Sequence, residues 1–236
     1  TVSHGSAKKL EVNQKTTNAN SFIGQLNTVL FTPDSLQLIK GSPGERRRFL
    51  DVQICQVDPV YRQNLLKYSR VVRQRNQLLK SGFENRGLLK QLPVWDTQLA
   101  HLGSKIVLRR QKTLATLHEL SSCMHQKISG HEESLRVVYQ PFFSNEYHNV
   151  DFSFKTLETL FLQEIRNKRQ QEIRRGHTLV GPHRDDIGFL VNNADAKIFG
   201  SQGQQRTAVL AYILAEMEFM FAETGEYPVV LLDDVL

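Results

Sequence analysis

The segment at residues 200–206, G-S-Q-G-Q-Q-R, constrains this chain more than any other feature. A helical pattern follows it, and the chain then reaches V-V-L-L-D-D at residues 229–234. A helix N-terminus presents unpaired N–H groups and the positive end of a dipole to a phosphate. A carboxylate at the end of an apolar strand is where nucleotide-hydrolysing folds hold Mg²⁺. The two segments together predict part of an ATP-dependent protein. We call residues 201–204 the phosphate turn.

Length and composition limit the classes of protein that fit. The chain has 236 residues, of which 40% are apolar, enough for one large domain or two lobes. No apolar run approaches the ~20 residues of a membrane span, so no membrane association is expected. Cys55 and Cys123 are too few for a disulfide framework and lack metal-ligand spacing, which favours a cytoplasmic protein. A net charge of +6 and a pI near 9.4 are compatible with a nucleic-acid partner.

The two ends of the chain indicate an internal fragment. The chain opens with Thr1 rather than Met, and it stops at Leu236, two residues after the double aspartate. A buried strand normally leads into a loop and a helix, so we expect the protein to continue.

Apolar periodicity and turn signals predict an α/β head with an inserted helical lobe. Helix-start signals stand at residues 42–45 (S-P-G-E) and 58–59 (D-P). Two further helical stripes run from about 96 to 128 and from 154 to 175. Strands are expected at 27–32, 135–140 and 229–232, and a β-hairpin at 187–191 and 196–199. We therefore assign strands and turns of the head to residues 1–32, the helical lobe to 33–175, and the rest of the head to 176–236.

The phosphate turn has the chemistry of an anion site. Glycine allows the backbone to approach an anion closely, and a serine hydroxyl adds a donor. We therefore select Ser201, Gln202, Gly203 and Gln204 as nucleotide-binding residues. An ordinary helix cap explains the same four residues when they are taken alone.

The acidic strand supplies the second half of the site. Its apolar run at 229–232 is typical of a strand buried on both faces, and the two aspartates should emerge at its carboxyl end, where ligands bind in open α/β sheets. We expect Asp233 to hold Mg²⁺ and Asp234 to orient or deprotonate the attacking water. A solvated turn after a strand is the alternative for this segment.

Positive charge is concentrated in three places, at residues 46–48, 70–75 and 166–175. Lys and Arg contacts to phosphates do not depend on base sequence, and no base-reading motif is present. Solvated helix faces are the alternative for each cluster. The residues selected as DNA contacts are Arg46, Arg47, Arg70, Arg73, Arg169 and Arg174.

The run G-P-H-R-D-D at residues 181–186 places His183 beside an arginine and two acids. It is either a structural turn in which Arg184 pairs with a carboxylate, or a loop close to nucleotide or DNA.

Five ordered stretches resemble the RecF family, whose members carry an ABC-type ATPase head. They lie at residues 29–51, 74–80, 181–186, 201–206 and 231–235, and the resemblance covers essentially the whole chain. It implies a partial ABC-ATPase-type head with the helical lobe inserted, the phosphate turn as its signature motif, and the acidic strand as its Walker B. The signature residues Ser201, Gly203 and Gln204 would then contact the γ-phosphate of ATP held by the other subunit of a dimer.

The resemblance also implies a function. The expected protein is a DNA repair and replication factor of the SOS response that binds ATP, Mg²⁺ and DNA at gaps, forms an ATP-dependent homodimer, and helps RecR and RecO to load RecA. No G-x-x-x-x-G-K-[ST] is present, so this polypeptide alone is expected to be inactive. The intact protein is expected to be a slow DNA-dependent ATPase. The alternatives are a head of the structural-maintenance-of-chromosomes kind and a non-enzymatic DNA-binding helical scaffold.

Overall fold

The computed structural model describes residues 9–82, 86–143 and 153–233, which fold as mixed helix and strand. In that part of the chain the strands are β1 Leu10–Val12, β2 Lys15–Thr17, β3 Thr28–Phe31, β4 Leu135–Gln140, β5 Asp186–Val191, β6 Ala194–Asp195 and β7 Val229–Leu232. The α-helices are α1 Ala19–Phe22, α2 Gln37–Lys40, α3 Pro43–Val57, α4 Pro59–Ser81, α5 Leu92–Ile128, α6 Phe154–Arg175 and α7 Gln202–Thr224.

The strands form three small sheets. β3 and β7 pair in parallel, in a register that sets Thr28 opposite Val229. β5 lies between β4 and β6 in an antiparallel sheet, and β1 and β2 form a separate antiparallel pair. The parallel pairing places the carboxyl ends of β3 and β7, and with them Asp233, at the same edge.

Both predicted helix-start signals are confirmed. Ser42 caps α3 with a full capping box, in which its backbone N–H donates to the Glu45 carboxylate at 2.7 Å. Asp58 caps α4 by accepting the Tyr61 backbone N–H at 2.8 Å. Short-range hydrogen bonds of this kind depend only on neighbouring residues, which is why the sequence predicts them well.

The long helix α5 lies at the centre of the fold and packs against α4, α6, α7 and β4. Its buried side chains include Leu99, Ile106 and Leu117. Gly103 lets α6 approach closely, because a Cβ at this position would lie 2.3 Å from the Phe161 ring. The helix predicted from about residue 96 begins slightly earlier, at Leu92. It is the element against which most of the other helices pack.

A fully buried arginine joins α4, α5 and α6. The Arg75 guanidinium is 0% exposed and donates to Asp96 at 2.9 Å and to Glu172 at 2.5 Å. It also donates to the Thr178 hydroxyl at 2.9 Å. Removing one partner of such a network leaves a buried charge uncompensated, so these contacts fix the relative positions of the three helices.

The predicted hairpin exists, but its returning strand was placed wrongly. Asn192 and Asn193 both have positive φ (50° and 64°), which gives a two-residue turn. The returning strand β6 therefore begins directly after the turn and pairs with β5, with Ala194 opposite Val191. Residues 196–199, expected as the strand, form a turn in which Ile198 and Phe199 are exposed.

The acidic strand lies where it was predicted, at Val229–Leu232, but the described part of the chain does not bury it on both faces. Val229, Leu231 and Leu232 are 45%, 52% and 64% exposed. Within the described residues β7 pairs only with β3, which leaves one edge and much of its apolar surface uncovered.

The predicted domain boundaries remain predictions. β4 falls within the range assigned to the helical lobe, whereas its partner β5 falls within the head. One sheet therefore continues across the boundary expected at residue 176. In the described part of the chain, no helix combines the length and the apolarity needed to cross a bilayer.

Candidate nucleotide-contacting site

The phosphate turn forms the N-terminus of α7. Ser201 is the N-cap: its Oγ accepts the Gln204 backbone N–H at 3.2 Å, and its own N–H donates to Gln204 Oε1 at 2.9 Å. The turn was predicted to precede the helix, but Gln202 and Gly203 already lie in the first helical turn. The cap expected as the alternative is therefore present, and it leaves Ser201, Gln202 and Gly203 exposed.

Space around Gly203 is open. A Cβ built there meets only Ser201 Oγ, at 3.8 Å, so packing within the chain does not require glycine. Gly200 differs, because a Cβ there would lie 2.5 Å from the Ala196 carbonyl oxygen. Gly200 is explained by the fold, whereas Gly203 is free to admit an anion to the backbone.

Hydrogen bonds of the Gln204 and Gln205 side chains hold the phosphate turn in place. Gln205 is buried, and its Nε2 donates to the backbone oxygen of Ala196 at 2.8 Å and to that of Gly200 at 3.3 Å. Gln204 Nε2 donates to Glu133 Oε1 at 2.7 Å. No signal in the sequence points to the role of Glu133, since it lies 71 positions away from Gln204.

Asp233 follows β7, and its backbone N–H donates to the Phe31 carbonyl at 2.9 Å, continuing the parallel pairing. Its side chain is exposed. Asp234, the predicted catalytic residue, lies outside the described residues. Within the described ranges no group of three or more His, Cys, Asp or Glu side chains could hold a metal ion. Asp233 therefore supplies a single candidate ligand for Mg²⁺.

The first basic cluster divides into buried and exposed members. Arg46 is buried and forms an ion pair with Asp186, in which Nε and Nη2 each donate at 2.7 Å. This burial disfavours Arg46 as a DNA contact, and its selection remains a prediction. Arg47 is half-buried and donates to the Asp185 carbonyl at 2.5 Å, and burial together with nearby Arg110 lowers its pKa. Arg48 is exposed.

The second and third clusters divide in the same way. Arg70 and Arg73 are exposed on α4, whereas Arg75 belongs to the buried network. On α6, Arg174 is exposed, but Arg169 is held by Asp96. The alternation follows helical periodicity, which brings one arginine of a cluster to the core and the next to the surface.

A cavity of about 510 Å³ opens between α3 and α4. Its lining includes Arg47, Arg48, Val52, Ser69, Val72 and His183. Arg47 and Arg48 of the first cluster therefore line this opening, whereas the exposed Arg70 and Arg73 are not among its lining residues.

The segment at 181–186 contains a single 3₁₀ turn at Pro182–Arg184, and its proximity to nucleotide or DNA stays a prediction. His183 Nδ1 lies 2.7 Å from the Tyr68 hydroxyl, and burial lowers the His183 pKa to about 4. The expected pairing of Arg184 with a carboxylate is wrong, because Arg184 donates to the Thr178 carbonyl. Two other arginines pair with the carboxylates of this segment: Arg110 with Asp185, and Arg46 with Asp186.

Comparison with known proteins shows which proteins this chain is similar to. No family model matches it. Over 99% of its length it is 43% identical to the DNA replication and repair protein RecF of Natranaerobius thermophilus, and over 92% it is 43% identical to that of Enterococcus faecalis. A solved structure of the recombination mediator protein RecF-ATPrS matches 99% of the chain with a TM-score of 0.91 and 31% identity. The chain belongs to the RecF family.

The chain covers only part of the length of the RecF proteins that it matches. The chain spans 61% and 58% of the lengths of the two RecF relatives, and 62% of the solved RecF chain. A second solved structure, RecF-ATP, matches 98% of the chain with a TM-score of 0.88. These matches confirm the predicted fold class, the α/β fold of an ABC-type ATPase.

Proposed function

We propose that this chain forms part of a RecF-type DNA replication and repair protein that binds ATP and DNA and dimerises with ATP. The exposed phosphate turn carries the proposal. It combines a helix N-terminus, a free Ser201 face and an uncrowded Gly203 on a segment that Gln205 holds in place.

The phosphate turn contacts the γ-phosphate of a nucleotide held by a second subunit. The N–H groups of the first turn of α7 point away from the helix and carry its positive dipole end, which suits a phosphate approaching from outside. Ser201, Gln202, Gly203 and Gln204 form this contact. ATP is supported as the nucleotide by the similarity to solved RecF structures described with ATP.

The acidic residues after β7 supply the Mg²⁺ chemistry. Asp233 holds the ion, directly or through water, and Asp234 positions the attacking water. An aspartate in the second position fits a slow, switch-like ATPase. We expect the intact protein to turn over below about 1 s⁻¹.

DNA binds through arginines of α3 and α4, namely the half-buried Arg47 and the exposed Arg70 and Arg73. Arg174 on α6 remains a separate candidate. Binding through phosphates alone suits a factor that acts anywhere in a genome. The RecFOR pathway named for the solved structure supports RecR and RecO as partners. Loading of a recombinase at gaps, a role in the SOS response and a cytoplasmic location complete the proposal.

Sedimentation of the full-length protein carrying this sequence, with and without ATP and Mg²⁺, tests the proposal. Ser201→Arg places a bulky cation where the partner's γ-phosphate would sit, so ATP-dependent dimers should be lost while nucleotide binding in the subunit's own site persists. Ala115→Arg, at an exposed position of α5, is the matched control. A wild-type monomer indifferent to ATP would favour the non-enzymatic scaffold, and a dimer insensitive to Ser201→Arg would place the interface elsewhere.

A head of the structural-maintenance-of-chromosomes kind is disfavoured. Such heads carry coiled-coil insertions of hundreds of residues, whereas the longest described helix here, α5, has 37 residues.

A further inference from the structure

A carboxylate from a distant loop holds the phosphate turn. Gln204 engages both ends of its amide: Oε1 accepts the Ser201 N–H at 2.9 Å, and Nε2 donates to Glu133 Oε1 at 2.7 Å. The second bond is charge-assisted and stronger than a bond between neutral groups. It also fixes which way the amide faces, because a carboxylate accepts only from the NH₂ end. Glu133 thereby keeps the Gln204 carbonyl directed at the Ser201 backbone.

The loop that presents Glu133 is itself well anchored. It connects α5 to β4, and its tight bend uses positive φ at Gly130 (63°) and His131 (66°). Its last residue, Ser134, exchanges two hydrogen bonds with Asn192 of the β5–β6 turn, each of 2.9 Å. Glu133 therefore sits on a segment tied to the antiparallel sheet on one side and to the phosphate turn on the other.

The second oxygen of Glu133 faces a buried histidine without a hydrogen bond. His125 on α5 is 0% exposed, its Nε2 lies 3.8 Å from Glu133 Oε2, and neither ring nitrogen has a hydrogen-bond partner among the described residues. Burial lowers the His125 pKa. Glu133 itself opposes this shift, and 3.8 Å is too long for a hydrogen bond, so the bond from Gln204 is the principal contact of the Glu133 carboxylate.

We propose that Glu133 is the positioning residue of the phosphate turn. It touches no nucleotide itself; it holds Gln204 so that the capping box stays closed and the Ser201 hydroxyl and the first N–H groups of α7 face outward. Through Glu133, a shift of the α5–β4 loop changes the readiness of the turn to accept the partner's γ-phosphate. This inference rests on the proposed function, because it concerns the same turn.

The test compares Glu133→Ala with Glu133→Gln in the full-length protein. Glu133→Ala should weaken ATP-dependent dimerisation about three- to ten-fold, the effect of losing one half-exposed, charge-assisted hydrogen bond. The ATP affinity of the subunit's own site should stay unchanged. Glu133→Gln should restore most of the dimerisation, because its amide oxygen can still accept from Gln204 Nε2. Glu132→Ala, at the exposed neighbouring carboxylate, is the matched control.

A double-mutant cycle separates positioning from a general loss of stability. If Glu133 acts through Gln204, Glu133→Ala should have little further effect on dimerisation in a Gln204→Ala background. If Glu133→Ala dimerises fully with ATP while Ser201→Arg does not dimerise, this inference is wrong. That result would still be compatible with the proposed function. Equal losses for Glu133→Ala and Glu133→Gln would also overturn this inference. A wild-type protein that never dimerises with ATP would overturn both.

Discussion

Arg110 and Asp185 form a buried ion pair, with 3.0 Å between Nη1 and Oδ2. Asp185 also accepts the Phe142 backbone N–H, and Arg110 also pairs with Asp51 at 2.8 Å. The pair thus joins the segment at 181–186 to α5 and, through Asp51, to α3. Both acids of this segment, Asp185 and Asp186, are thus engaged by arginines within the fold.

Asp185→Ala should therefore destabilise the protein strongly. The substitution removes one partner of a buried ion pair and leaves part of the Arg110 charge uncompensated. The expected loss is about 3–5 kcal/mol in the free energy of unfolding. Urea denaturation measures this loss. Glu119→Ala, at an exposed carboxylate on the same helix as Arg110, should change the free energy by no more than about 0.5 kcal/mol. Equal effects of the two substitutions would contradict the structural role of Asp185.

Glu216 should make stability depend on pH. It is buried in α7, and burial raises its pKa from 4.5 to about 7. The folded protein therefore binds this proton more tightly than the unfolded chain does. Its contribution is fully present below about pH 4.5 and is lost as the pH rises through about 7, a loss of up to about 3 kcal/mol.

Glu216→Gln should remove that component. Denaturation at pH 5 and pH 8 should show the wild type losing more stability over this interval than the variant. Glu226→Gln, at an exposed position just after α7, should keep the wild-type pH dependence. Parallel curves for Glu216→Gln and the wild type would refute the assignment.

Gly203→Ala should separate folding from function. The added Cβ meets open space, and alanine favours a helix over glycine by up to about 1 kcal/mol, so stability should hold or rise. ATP-dependent dimerisation should fall nonetheless, because a methyl group would stand where the γ-phosphate approaches. Gly44→Ala, in the first turn of α3, should leave dimerisation intact. Unchanged dimerisation of Gly203→Ala would remove Gly203 from the contact.

The arginine clusters should differ in what they affect. Substituting Arg70 and Arg73 together by alanine should reduce the slope of log K for DNA binding against log salt by up to about 2, roughly 0.9 for each DNA phosphate that an arginine no longer neutralises. Arg46→Ala should instead lower stability, because Asp186 loses its ion-pair partner. Fluorescence anisotropy over a salt series measures the slope. A larger change of slope for Arg46→Ala than for the double variant would reverse the assignment.

Features determined by neighbouring residues were predictable from the sequence. The caps at Ser42 and Asp58 and the bounds of β4 and α6 follow from local chemistry and periodicity. The phosphate turn was recognised because its serine and glycine stand at the start of an apolar helix.

Features that depend on distant residues were not predictable. A cluster such as 46–48 resembles a solvated face until Asp186, 140 positions further on, is brought beside Arg46. The same limit hid Glu133, which lies in a loop while its partner Gln204 lies in α7, 71 positions away. The hairpin error had a local cause, since two consecutive asparagines with positive φ shorten the turn.

The uncovered surface of β7 affects how any oligomer of this chain should be interpreted. An apolar strand with a free edge can pair with the same strand of another molecule, and such pairing needs no nucleotide. Preparations of these residues by themselves would then contain self-associated species unrelated to the phosphate turn. The nucleotide-dependent dimer is therefore identified by association that appears when ATP is added and disappears when ATP is removed. The size of the species by itself does not identify it.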